Sequence, residues 1–500
     1  MNNKILFWID DSLINFGIAH SLQENDQSEL YSIISVANKK KEFFKKQNLV
    51  GFKKIWFHND IKINSSLKHS TEYLENFEKR YNIDLWKLIY NDRIFYNFNE
   101  FYKFSKDEVL GIVEEEIRFF EKVLDDVNPN FVCLLPVLRP SYLFYLICKS
   151  RNIIPIMLNA SRIPGKSIIN SDNHESQFKK SVDSSTKIIP KLSLNEFLNQ
   201  SMHKQVSEES NHWLKPNMRF LSAGLKFLLS ENSSKNSNYS YFGRTKIKVL
   251  INYFYDLFRV RKRENWLNKN SEYDIKTKKP FIFFPLHLEQ EMSLLIRAPF
   301  YTNQLEIIKN LVKSLPIGYE LYVKEHPLMY VRSWRKISIY KEIMNLPNVR
   351  LIHPSVDSNE LLEKCSLVVT ISGTASLDAG FFQKPAIVFS KRSDIPILSH
   401  MHLLQNFEEI PSLIKKLVNS KCDNDEYFQY IDFLKKNCFD LDFPDLVKNY
   451  DDYFHYSGFL TDMEIDVIKM EKLLSKIKIQ NDLIAKKIIE RISSVKTSLN

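Results

Sequence analysis

The chain lacks the features that would place it in a specialised class. Its five cysteines, Cys133, Cys148, Cys365, Cys422 and Cys438, are scattered with no close pair. That spacing supplies neither a disulfide framework nor a zinc site, and it suits a reducing compartment. Glycine is scarce, 10 residues against 18 prolines, which excludes a fibrous or low-complexity chain. No apolar run approaches the length of a membrane span, and the opening Met1–Asp10 is too short and too soon charged for a signal peptide. No repeat recurs at solenoid spacing, and no basic run interleaved with aromatics carries a nucleic-acid module. A cytoplasmic protein without a nucleic-acid partner is the expectation.

What is present is material for a large core. With 500 residues, 44% hydrophobic and 13% aromatic, the chain is long enough for two domains rather than one. The net charge of +10 and pI near 9.0 imply attraction to polyanions, among them nucleotide donors, acidic sugars and anionic lipid.

The most informative stretch runs from Phe281 to Phe389, where two apolar runs each end in a polar loop. Residues 319–323 lead into Lys324-Glu325-His326-Pro327, and residues 366–371 lead into Ser372-Gly373-Thr374. The second loop opens a helical segment, Ala375 to Phe382, followed by the buried-type run Pro385 to Phe389, which is a βαβ pattern. Ser372 or Thr374 can cap that helix, Gly373 lets the backbone approach a ligand, and the free N–H groups of the first turn suit a phosphate. Pro327 biases His326 to extended backbone at the carboxyl edge of a parallel sheet, with Lys324 on the same side. Together these residues predict an anion site. In the neighbouring loops His287, Glu289 and Glu291 face the same cleft, and the loop from His353 to Ser358 can hold a base or ribose through backbone groups.

In the first half, residues 4–9 read as a buried strand ending at Asp10, Asp11 and Ser12, where an acid/base group or a helix cap is expected. Residues 31–36 and 54–58 are further strands. Lys106 to Asp126 carries Val109, Ile112, Val113, Ile117, Phe120 and Val123 on one helical face. A compact βαβ unit spans residues 131–158, and its loops present Arg139 and Ser161-Arg162-Ile163-Pro164-Gly165-Lys166 as cations for an acidic acceptor or a phosphate. Ser230 to Ser240 reads as a linker. The helical segment Lys246 to Trp266 is basic and aromatic, suited to packing between domains or to an anionic membrane surface. Beyond Phe389 the pattern is mainly helical. Residues 464–499 form a striped helix, interrupted at Gln480 and Asn481, that returns to the core or to the partner domain.

Leu321 to Pro327, Leu346 to Ile352 and Ile371 to Ala375 resemble the C-terminal half of bacterial capsule and surface polysaccharide biosynthesis proteins. That family includes Kdo transferases of the GT-B type and is similar, in its His-Pro and Ser/Thr motifs, to bacterial sialyltransferases. The resemblance covers the second half well and the first half loosely. It implies an α/β fold of two Rossmann-like domains facing a cleft, with C-terminal helices. Residues 1–229 would be the acceptor domain, 230–278 a linker with the basic aromatic helix, 279–460 the nucleotide-sugar domain and 461–500 a C-terminal helix.

The implied activity is metal-independent transfer of a sugar, an acidic one from a CMP donor among the options, from a nucleotide sugar to a glycan or glycolipid acceptor. No cofactor is implied, the nucleotide sugar being substrate. His326 would contact the donor phosphate with Lys324, Ser372, Gly373 and Thr374. Ser358 and Asp378 would face the nucleotide, although Asp378 stands where such enzymes carry Glu. Arg162, with Arg139, would meet the acceptor, and the base is one of Asp10, Asp11 and Glu291. A location on the cytoplasmic face of the inner membrane, held peripherally by an anionic surface, is expected. A non-catalytic capsule assembly or export factor and a sugar-nucleotide epimerase are the other classes that fit.

Overall fold

The apolar runs are strands of two sheets buried on both faces. In the computed structural model, residues 3–36, 38–61, 69–170, 176–179, 197, 238–275, 279–331, 335–392, 394–454 and 464–499 are described. The first sheet contains β1 (Lys4–Asp10), β2 (Glu29–Ser35), β3 (Lys54–Phe57), β4 (Phe131–Cys133), β5 (Ile154–Ala160), β6 (Lys166–Asn170) and β13 (Phe439–Asp440). Its order is β13-β6-β5-β4-β1-β2-β3, with β1 to β5 parallel and β6 antiparallel to both its neighbours. The second sheet contains β7 (Phe281–Pro285), β8 (Glu320–Lys324), β9 (Val349–Ile352), β10 (Leu367–Thr370), β11 (Ala386–Val388) and β12 (Met401–Leu403). It is parallel throughout, in the order β12-β11-β10-β7-β8-β9.

Helices cover both faces of each sheet, so alternate strand residues enter different cores and neither face is polar. On β1, Ile5, Phe7 and Ile9 join one cluster while Leu6 and Trp8 join another. On β8, Leu321 and Val323 face one side and Tyr322 the other. This is the layout of two doubly wound α/β domains facing a cleft, with helices at the C-terminus, and their ligand edges are the carboxyl ends of the parallel strands.

The chain departs from the expected organisation in its second half. β12 and β13 lie in the region read as mainly helical. They are too short to show a periodicity of 2, and they add only edge pairing. Residues 439–454, within the stretch assigned to the second domain, rejoin the first: Phe439 pairs with Ser167, and Leu446, Tyr450 and Phe454 enter the first domain's core. Of the Ser230–Ser240 linker, residues 230–237 lie outside the described residues, whereas Tyr239 is buried in the first domain. The basic aromatic helix runs from Lys246 to Asn270, but of its large apolar side chains it is Trp266 and Leu267, near its end, that pack on the second domain.

The C-terminal helices, Val467–Lys476 and Lys478–Leu499, pack on the first domain, with Leu473, Ile477, Ile484, Ile488 and Ile492 in its core. The interruption of their stripe has a physical reason. Asn481 is 1% exposed and points at Gly17 of the helix Ile14–Asn25, where a Cβ would run into the Tyr450 hydroxyl and come within 2.8 Å of the Asn481 amide. Three segments distant in sequence therefore meet over a residue with no side chain. Replacing Gly17 by Val should overpack this junction and lower unfolding stability by about 1–3 kcal/mol. An unchanged denaturation midpoint would show that the C-terminal helix does not dock there.

Candidate functional site

The strand-end residues singled out in the second half line one cavity of about 240 Å³ at the carboxyl edge of the second sheet. Lys324, His326, Ser358, Ser372, Gly373, Thr374 and Glu291 all border it, joined by Arg162 from the first domain. Parallel topology brings them together, because every loop that follows a strand of this sheet opens on the same edge.

Lys324 closes β8 with its chain buried, and its Nζ donates to Ser358 Oγ at 2.6 Å. Burial lowers its pKa to about 8, against partial compensation from Asp357 and Glu325. The next residue, Glu325, is 1% exposed. Its Oε1 accepts from the His326 backbone N–H at 2.6 Å, and its Oε2 accepts short bonds from Arg335 and the Tyr340 hydroxyl. Arg335 also reaches Glu289 at 3.0 Å and donates to the His287 carbonyl at 2.8 Å. One guanidinium thus joins the loops after β7 and β8. His326 Nδ1 accepts from the Leu328 N–H at 3.2 Å, which assigns the proton of the neutral ring to Nε2 and makes it a donor.

The loop after β10 is arranged differently from the expected cap. Thr374 already has helical angles, φ −71 and ψ −16, and no side-chain cap bond is made at the helix Ala375–Phe381. The Ser372 hydroxyl donates to the Ser293 carbonyl at 2.8 Å. Gly373 is required by space: a Cβ there would lie 2.5 Å from Thr370 Oγ1 and 3.1 Å from His287 Nε2. His287 is held neutral, its pKa lowered to about 3 by burial and then by Arg392 and Arg335. Asp378 sits one turn along that helix, where burial raises its pKa to about 6 against the pull of Arg162.

Residues 227–411 match the family model described as capsule polysaccharide biosynthesis protein. The matched segment contains every cavity residue named above except Arg162. Among solved structures, the chain is similar to UDP-GlcNAc 2-epimerase from Methanocaldococcus jannaschii, at 13% identity and a TM-score of 0.27, covering 87% of this chain and 99% of that one. It is also similar to the β-Kdo 2,4-transferase and the β-Kdo 2,7-transferase of Thermosulfurimonas dismutans KpsC. Identity is 10% and 12%, TM-scores are 0.30 and 0.27, and coverage is 60% and 63% of this chain and 78% and 89% of theirs. No curated protein matches the chain.

Within and beside the capsule-family segment lies a cation group that the strand-end reading overlooked. Arg162, Arg297 and Arg392 border a second cavity of about 530 Å³ between the domains, together with Thr374 and Glu291. Asp394 is the carboxylate that Arg297 and Arg392 share: Arg392 grips it with two bonds of 3.0 and 2.5 Å, and Arg297 approaches to 3.1 Å. Burial works to raise the Asp394 pKa, yet Arg392 and Arg297 override it and hold the carboxyl well below its usual range. Burial, then crowding by Arg392, lowers Arg297 to about 10. Arg392 was findable, since it follows the apolar run at β11 as His326 follows β8. Arg297 follows a four-residue helix and carries no comparable signal.

The first-half candidates stand apart from this cavity. Asp10 accepts from the Ser12 hydroxyl at 2.6 Å and from its N–H at 3.0 Å, with its pKa raised by burial. Asp11 pairs with the buried Lys40 at 2.9 Å. Both line a separate cavity of about 350 Å³ with Asp451. Arg139 is 6% exposed and clamped between Asp92, at 2.5 Å, and Glu116, so it presents little free charge to a ligand.

Lys324 gives this arrangement a pH signature. Its folded pKa of about 8 lies below its ordinary 10.5, so between those values the unfolded chain binds a proton that the folded chain does not. Stability should therefore rise with pH through that window, and below about 8 the buried charge is a constant penalty. Lys324→Met should raise the melting temperature at pH 7, and the gain should shrink toward pH 10.5. A lower melting temperature at pH 7 would refute the burial described.

Proposed function

We propose that the protein is a glycosyltransferase of capsule or surface polysaccharide synthesis, moving a sugar from a nucleotide donor to a glycan or glycolipid acceptor. The observation that carries this reading is the convergence of Lys324, His326, Ser358, Thr374 and Arg392 on one cavity, inside the segment that matches the capsule family.

In this reading the acceptor hydroxyl attacks the anomeric carbon and its proton passes to a carboxylate, while the bond from that carbon to the donor phosphate oxygen breaks. The negative charge left on the phosphate is met by His326 Nε2–H, the Lys324 ammonium, the Thr374 hydroxyl and the backbone N–H groups behind it. These supply the positive charge that a divalent cation would otherwise bring, so the transfer is read as metal-independent. Of the three carboxylates considered from sequence, Glu291 borders both the donor cavity and the interdomain one, and we assign it the base. Asp10 and Asp11 belong to the acceptor side. Ser358 lines the donor cavity and is read toward the nucleotide end, whereas Asp378, the other residue assigned there from sequence, is not among the residues that border it. Arg162, Arg297 and Arg392 suit the carboxylate of an acidic sugar, which is consistent with a CMP-linked donor.

A thermal-shift panel of CMP, UDP, GDP and CDP tests the site. The cognate nucleotide at 100-fold saturation should stabilise by about 2.7 kcal/mol. His326→Ala should keep the wild-type melting temperature and lose on the order of 100-fold in transfer. A destabilised His326→Ala protein with unchanged nucleotide binding would overturn the site. Consumption of a sugar nucleotide without acceptor would replace transfer by epimerisation.

A further inference from the structure

The helix Lys246–Asn270 carries a face that no packing among the described residues accounts for. Ile247, Ile251, Phe254 and Phe258 are 70%, 64%, 65% and 62% exposed, and at 3.6 residues per turn they fall within an arc of about 60°. The exposed cations Arg261, Lys262 and Lys269 continue or border the same face. The helix's two acidic residues, Asp256 and Glu264, lie more than about 100° from its centre. Apolar side chains edged by cations, with the acids turned away, suit an interface plane whose headgroups are anionic and whose interior is apolar.

The helix is presented rigidly. Arg263 donates to the Met329 carbonyl, Trp266 stacks on Tyr340 with centroids 5.8 Å apart, and Arg259 meets Glu100 of the first domain at 2.8 Å. Docking this face would need no ordering of the helix itself. The segment Tyr239–Arg244, which runs into the helix, borders a cavity of about 530 Å³ shared by both domains. A surface bound to the helix would thus lie beside an entrance to the interdomain cleft. Among the described residues no helix is long and apolar enough to cross a membrane.

We infer that this face docks the protein on an anionic phospholipid bilayer. A second copy of the chain is a poorer occupant, because a two-fold contact would bring the cations of both copies, Arg261, Lys262 and Lys269, into one interface with no acid on the face to pair them.

Flotation of the full chain with liposomes tests this independently of any transfer activity. The protein should float with phosphatidylcholine vesicles containing phosphatidylglycerol and remain behind with phosphatidylcholine alone, and raised salt should weaken the binding. Arg261→Ala with Lys262→Ala should reduce partitioning by about 30-fold. Phe254→Ser with Phe258→Ser should reduce it by about tenfold or more. All four positions are exposed, so both variants should melt with the wild type. Flotation absent from both vesicle types, equal on both, or unchanged in the variants would overturn the inference. So would a solution dimer that Phe254→Ser with Phe258→Ser dissociates.

Discussion

Glu325, a carboxylate buried beneath the loop that follows it, sets the geometry of the second domain's ligand edge. Burying an ion costs several kcal/mol unless a partner and hydrogen bonds satisfy it. Arg335 is that partner, with the Tyr340 hydroxyl and the His326 N–H completing the shell. Because the same guanidinium also holds Glu289 and the His287 carbonyl, the loops after β7 and β8 cannot move separately without stranding a charge. The orientation of His326, and through His287 the close approach of Gly373, follows from that one buried pair.

The charge balance reverses within a few residues of it. Around Glu325 every charge is matched, whereas toward the interdomain cavity Arg162, Arg297 and Arg392 gather around the single carboxylate of Asp394, and Lys324 lies on the donor-cavity wall beside Ser358. Lys324 and Arg297 both have lowered pKa values there, which means their protonated forms are held at a cost to the fold. Three arginines on one carboxylate leave positive charge over, and that excess is what a site prepared for an anion requires. Arg162 reaches it from the first domain, so an anion bound at that point would contact both halves of the chain at once.

Much of this was legible in the chain. Buried parallel strands read as continuous apolar runs, so β1, β2, β7, β8, β10 and β11 stand out, and the residues just after them are the candidates for a ligand edge. The residues that logic names, Lys324, His326, Ser358, Ser372, Gly373 and Thr374, border one cavity. What it could not show was pairing. Ser372 and Thr374 look alike as caps, yet one hydroxyl is taken by the Ser293 carbonyl and the other belongs to a residue already in helical geometry. The strands β6, β12 and β13 went unseen because none of them is a continuous apolar run, and the return of residues 439–454 to the first domain depends on tertiary contacts such as Tyr450 over Gly17.

Arg139 and Arg162 make the same point from one rule with two outcomes. Each follows a strand of the first sheet, and each reads from sequence as a cation offered to an acceptor. Arg139 meets Asp92, Glu116 and the Tyr239 hydroxyl, 2.9 Å from its Nη2, and the buried Glu116, held at a pKa of about 2 by Arg139 and His58 against the effect of burial, leaves it no charge to offer. Arg162 is half-buried without such a clamp, in the opposed fields of Arg392 on one side and of Asp394 and Asp378 on the other. The discriminating signal sits on another element. Glu116 falls among Ile112, Val113 and Phe120 on the apolar face of the helix Lys106–Val127, and a carboxylate placed on a core face requires a buried cation. A strand-end arginine is therefore a ligand candidate only after the acids of the core-facing helices have been assigned their partners, and here that subtraction leaves Arg162.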